Sequence, residues 1–126
     1  MSVPMQLQYL DFDFSDEESG RGSFDAMASV VPGRLPALLG EISAVLAWAR
    51  RMFGPAGALQ DEGEWDYDLQ AVAEPETPLQ VAFNERSGEV SLPAAARQAA
   101  RTTVTLTLSG SRAFCEAIRD AFGVAD

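Results

Sequence analysis

Asp61-Glu62-Gly63-Glu64-Trp65-Asp66-Tyr67-Asp68-Leu69-Gln70 is the stretch on which the rest of the chain turns. From Glu64 to Leu69 acidic and apolar residues alternate strictly, which is the side-chain period of a β-strand. Trp65, Tyr67 and Leu69 share one face, and their place is in a core. Glu64, Asp66 and Asp68 share the other. Carboxylates in such a row repel one another, so their face must meet water, a cation or a basic partner.

The same period recurs on both sides of this stretch. Leu10, Phe12 and Phe14 alternate with Tyr9, Asp11 and Asp13, predicting a first strand over 5–14. Phe24, Ala26, Ala28 and Val30 recur every second residue after a polar, glycine-bearing turn. Leu79, Val81 and Phe83 predict a short strand leading through a turn at 84–88 into Val90 and Leu92. Val104, Leu106 and Leu108 alternate with Thr103, Thr105 and Thr107, a further strand.

Two segments change period from two to between three and four. Leu35, Leu38, Leu39, Ile42, Val45, Leu46, Ala49, Met52 and Phe53 form one long amphipathic stripe. Pro32 and Pro36 open it and Gly54-Pro55 closes it. A second helix is expected over 111–122, with Ser111 as N-cap, Gly123 beyond its end, and Phe114, Cys115, Ile118 and Phe122 inside. The alanine-rich piece 93–101 reads as a short helix.

These elements predict one domain over 1–126 of the α+β class. The expected form is a two-layer sandwich, one mainly antiparallel sheet with both main helices packed on one face. The other face then carries Asp11, Asp13, Glu64, Asp66 and Asp68 together with the threonines of 103–107.

Charge and absent residue types narrow the chemistry. Nine arginines stand against nineteen acids, net −10, with no lysine and no histidine. Ten of the acids fall within 11–18 and 61–68. Such a field disfavours nucleic acid and anionic membranes and favours a basic protein. Without His or Lys the chain has no imidazole base, no Ser-His-Asp set and no phosphate-loop lysine. Asp11-Phe12-Asp13 resembles the Asp-x-Asp nucleophile motif of haloacid-dehalogenase-like phosphotransferases, but their lysine is missing. Read as a calcium loop from Asp11, the stretch puts Asp16 at the turn glycine and Gly22 at the bidentate glutamate, a mismatch at both.

The lone Cys115 forms no disulfide within the chain and reads as a buried thiol. With neither a signal-like leader nor an apolar span, the expected location is cytoplasmic. Arg97 and Arg101 form a small basic edge. The leading expectation is a non-enzymatic module, monomer or homodimer, that binds a basic protein through its acidic sheet face without a cofactor. The alternative is a divalent-cation site or carboxylate-dependent hydrolase, in which Asp11 and Asp13 stand opposite Asp66 and Asp68 on adjacent strands.

Overall fold

The computed structural model of the chain describes residues 7–17, 20–57, 64–74, 77–84, 86–93, 96 and 99–123. In order the elements are β1 (Asp13–Asp16), β2 (Gly22–Val30), α1 (Leu35–Phe53), β3 (Trp65–Ala73), β4 (Thr77–Leu79), β5 (Ala82–Asn84), β6 (Glu89–Ser91), β7 (Thr102–Gly110) and α2 (Arg112–Phe122). The fold is α+β, with a mainly antiparallel sheet and two helices. Five strands run in the order β1-β2-β7-β3-β4, every neighbouring pair antiparallel.

β7 comes last in sequence among the strands yet lies in the middle of the sheet. Its alternation explains why: Val104, Leu106 and Leu108 are fully buried, while Thr103, Thr105 and Thr107 are half-buried. β-branched residues suit a strand with a neighbour on each side. On β2, Phe24, Ala26, Ala28 and Val30 face the same interior. Leu38, Ile42, Val45, Leu46 and Ala49 of α1 and Phe114, Cys115, Ile118 and Phe122 of α2 join them in a common core.

Two glycines let α2 approach the sheet. Gly22 pairs with Gly110, and Gly110 with Trp65, in one row across β2, β7 and β3. The Phe114 ring rests on Gly110, where a methyl group would stand 2.5 Å from its Cγ. That ring lies parallel to Trp65, with centroids 5.8 Å apart and planes 9° apart. Trp65 is 1% exposed, and its indole Nε1–H donates to Gly54 O at 2.9 Å, at the end of α1. One side chain thus ties β3 to both helices and leaves no indole donor unmet.

The helix ends follow local rules. Pro36 occupies the first turn of α1, and Arg50 and Arg51 its last, where positive charge suits the helix dipole. Ser111 Oγ caps α2 by accepting from Phe114 N at 3.2 Å, and Gly123 closes it in the left-handed region at φ 66°. Thr102 is a local exception. It is fully buried, and its Oγ1 has no hydrogen-bond partner.

Three expectations need correction. β1 is only Asp13–Asp16; the described residues before it, 7–12, form no strand, and Met5 and Gln6 lie outside the described residues. Instead the Glu41 carboxylate on α1 accepts from the N–H groups of Gln8 (2.8 Å), Tyr9 (3.0 Å) and Leu10 (2.7 Å). Those bonds satisfy backbone donors that a strand would have paired, while Leu10 and Phe12 still reach the core. Second, the 79–83 strand divides. β4 includes Pro78 and pairs with β3 as an edge strand, where a missing N–H is tolerated, while β5 turns away.

Third, there is a second, two-stranded sheet, β5-β6, separate from the main one. Of the piece 93–101, residues 94, 95, 97 and 98 lie outside the described residues; Ala96 N–H closes a turn onto Pro93 O at 3.0 Å.

Candidate functional site

The acidic face is assembled by strand register. Asp13 pairs with Asp25, Asp25 with Thr107, and Thr107 with Asp68, in one row across β1, β2, β7 and β3. Directly paired residues point to the same side, so this row lies on the face opposite Trp65. A parallel row holds Ser15, Ser23, Ser109 and Asp66. A hydroxyl stripe of Thr103, Thr105, Thr107 and Ser109 on β7 is therefore flanked by Asp13 and Asp25 on one side and Asp66 and Asp68 on the other.

Asp13, Asp25 and Asp68 are exposed, and Asp66 is half-buried. Beyond the carboxylates, farther along β2 and β3, the same face shows Met27, 67% exposed, and Val72, 40% exposed. Thr107 Oγ1 donates to Asp25 Oδ1 at 2.8 Å, fixing that carboxylate over the stripe. Gln70 Nε2 donates to Asp68 Oδ2 at 2.9 Å. Asp66 Oδ1 accepts from Tyr67 N–H at 2.9 Å.

Not every acid singled out in the sequence lies on this face. Glu64 precedes β3, and its carboxylate accepts from Ser111 Oγ at 2.6 Å beside the first turn of α2. Its position there supports the helix N-terminus, where a negative charge is favourable. Asp11 is exposed but belongs to the segment before β1, outside the sheet. Asp25 is the acid that the sequence reading missed. Its signal was present, because it alternates with Phe24 and Ala26 and must point away from them.

The cation alternative requires β1 beside β3, and β2 and β7 lie between them. Three interstrand steps put the backbones of Asp13 and Asp68 roughly 14 Å apart. Asp11 and Asp13 therefore do not stand opposite Asp66 and Asp68. Among the described residues no group of three or more acids or cysteines could hold a metal ion.

A cleft of about 440 Å³ borders the acidic face, lined by Ala56, Asp66, Tyr67, Asp68, Leu69, Val81 and Phe83. It opens where the chain leaves β4 and diverges from β3. Tyr67 and Phe83 meet edge to face in its wall, with centroids 5.6 Å apart.

Cys115 takes no part. Its thiol is buried and lies 3.7 Å from Gly110 O. Burial raises its pKa above the ordinary value, outweighing the hydrogen bond from the Gly22 backbone and the charge of Arg119. A thiol held protonated is a poor nucleophile. Arg97 lies outside the described residues. Arg101 donates through Nη2 to Ser29 O at 2.6 Å and through Nε to Ser29 Oγ at 3.2 Å.

Among the described residues no helix is long and apolar enough to cross a membrane. No protein-family model, curated protein or solved structure matches the chain.

Proposed function

We propose that this protein is a non-enzymatic cytoplasmic interaction module that binds a basic protein through the open face of its sheet. In this reading both helices form the second layer of a two-layer sandwich on the opposite face. An inhibitor or immunity-type protein that neutralises a basic effector is its concrete form. The observation that carries the reading is the in-register row Asp13–Asp25–Thr107–Asp68, with Asp66 beside it. Asp13 and Asp25 are directly opposed like charges, an arrangement that costs stability unless a cationic surface relieves it.

A face of this kind speeds association by long-range attraction and loses grip as salt rises. The test is capture from a lysate of the source cells at about 50 mM and about 500 mM salt, where screening differs severalfold. Wild type should retain a basic protein at low salt only, and the Asp25→Asn/Asp68→Asn variant should not retain it. Recovery of no basic protein at low salt, or equal recovery by the variant, counts against the reading.

A further inference from the structure

The open face is not uniform along its strands. Its carboxylates crowd one end: Asp66 in the serine row, and Asp13, Asp25 and Asp68 in the row next to it. The following two rows, one of Met27, Thr105 and Gln70 and one of Ser29, Thr103 and Val72, carry no charge. Among the described residues the exposed large apolar side chains are Met27, Val31, Met52 and Val72. All but Met52 belong to this uncharged end, because Val31, in extended backbone just past β2, continues the strand's alternation. Arg101 and Glu74, exposed at its rim, offset each other in charge, and Arg101 is held there by its bonds to Ser29. Apolar residues exposed singly are ordinary on a protein surface; a group gathered at one end of one face marks a contact.

The shape of that end follows from the register. Met27 and Val72 stand on the strands either side of β7 and one row apart, which puts their backbones roughly 12 Å from each other. The floor between them is Thr105 and Thr103, both short and half-buried. Such a gap admits one branched aliphatic side chain, flanked by a polarizable thioether and an isopropyl group. Its centre lies roughly 10 Å along β7 from the row of Asp25 and Asp68.

We propose that the basic partner lies on this face in one direction only, its cationic residues over Asp25, Asp66 and Asp68 and one aliphatic side chain seated between Met27 and Val72. The inference rests on the basic-partner reading and adds what anchors the partner and which way round it lies. The carboxylates attract it from a distance and set how fast it arrives. The aliphatic anchor, once it displaces water from Met27 and Val72, sets how long it stays. A reversed partner would bring its cations to an end with no net charge and bury its aliphatic group among carboxylates, so both ends enforce the direction.

The test titrates the full chain, isotope-labelled for NMR, at about 50 mM salt with the C-terminally amidated peptides Arg-Gly-Arg-Gly-Leu and Arg-Gly-Arg-Gly-Gly. Extended, the first spans about 13 Å from its first arginine to its leucine, enough to reach from the carboxylates to the gap. It should bind about fivefold or more tightly than the second, the increment for seating a leucine that stays partly exposed. In Met27→Ser, at an exposed position, that preference should fall below about twofold while the second peptide binds as before. Asp25→Asn/Asp68→Asn should weaken both peptides by about fourfold or more and leave the leucine preference in place. A nitroxide on the leucine end should broaden the amide of Val72 more than that of Asp66, and one on the arginine end should do the reverse.

A leucine preference that is absent from wild type, survives in Met27→Ser, or comes with the opposite broadening overturns the anchor. The acidic-face reading still stands if the aspartate variant binds both peptides more weakly. Sedimentation that shows a wild-type dimer lost in Met27→Ser gives the gap to a second copy and overturns the proposal likewise. If neither peptide binds, the anchor is overturned, and the basic-protein reading stands or falls on the lysate capture. Peptide binding and capture that are both unchanged in the aspartate variant overturn the two together.

Discussion

Two rows of side chains cross the same four strands one residue apart. Phe14, Phe24, Leu108 and Tyr67 face the core; Asp13, Asp25, Thr107 and Asp68 face away. In the first row the Phe14 and Phe24 rings lie 4.7 Å apart, and Arg119 covers Phe14 with its guanidinium carbon 4.9 Å from the ring centre. Phe24 and Leu108 are wholly buried. In the second row β2 and β7 are joined through side chains by the bond from Thr107 Oγ1 to Asp25 Oδ1. The backbone scaffold of the two rows is nearly the same. What differs is the solvent each meets, so one row packs into the core and the carboxylates of the other are exposed. A slip of one residue in any of these strands would exchange the roles, which is why the register is so firmly specified.

The largest test of that contrast is Phe24→Ala. Removing a ring from the centre of the inner row should cost about 3–5 kcal/mol in chemical unfolding. Asp25→Ala, one residue along, should stay within about 1 kcal/mol. Comparable losses at both positions would mean the outer row is not an independent surface.

An intermediate effect is expected where the inner face breaks its own rule. Thr102 is buried with its hydroxyl unpartnered. Thr102→Val keeps the shape and removes the unmet polar group, so stability should rise by about 1 kcal/mol. A loss of stability would show that the hydroxyl has a partner in solution.

The smallest effect belongs to the outer row. Asp25→Asn keeps an oxygen to accept from Thr107 and removes the charge opposing Asp13. It should stabilise the free protein by a few tenths of a kcal/mol up to about 1, and the gain should shrink in high salt. The same substitution is half of the variant expected to lose the basic partner. A gain in stability paired with a loss of binding would identify the repulsion as functional.

Much of the fold is legible in the residues alone. Period-two alternation marks β2, β3 and β7, and the 3.6-residue stripe marks α1. Ser111 and Gly123 bound α2, because each of these signals is local and is read by the backbone within a turn or a strand. The first strand misleads for a physical reason: its alternation is genuine, and Leu10 and Phe12 are buried as expected. Its backbone donors, however, go to the Glu41 carboxylate, a partner some thirty residues away that no local pattern announces. Glu64 misleads similarly, since its alternation groups it with Asp66 while Ser111 engages its carboxylate from a distant turn.

The sequence by itself determined which side of each strand is greasy and which is charged, because a strand's side chains alternate wherever the strand is placed. Only the tertiary structure decided who stands beside whom. It put β7 between β2 and β3, and so kept Asp13 and Asp25 apart from Asp66 and Asp68 with a stripe of hydroxyls between them. It also brought Gly110 under the Phe114 ring and Gly22 beside Cys115, and left β3 beside a cleft. Strand order depends on long-range pairing, whose gain comes from burying a shared core, and nothing in a strand's own residues names its neighbour.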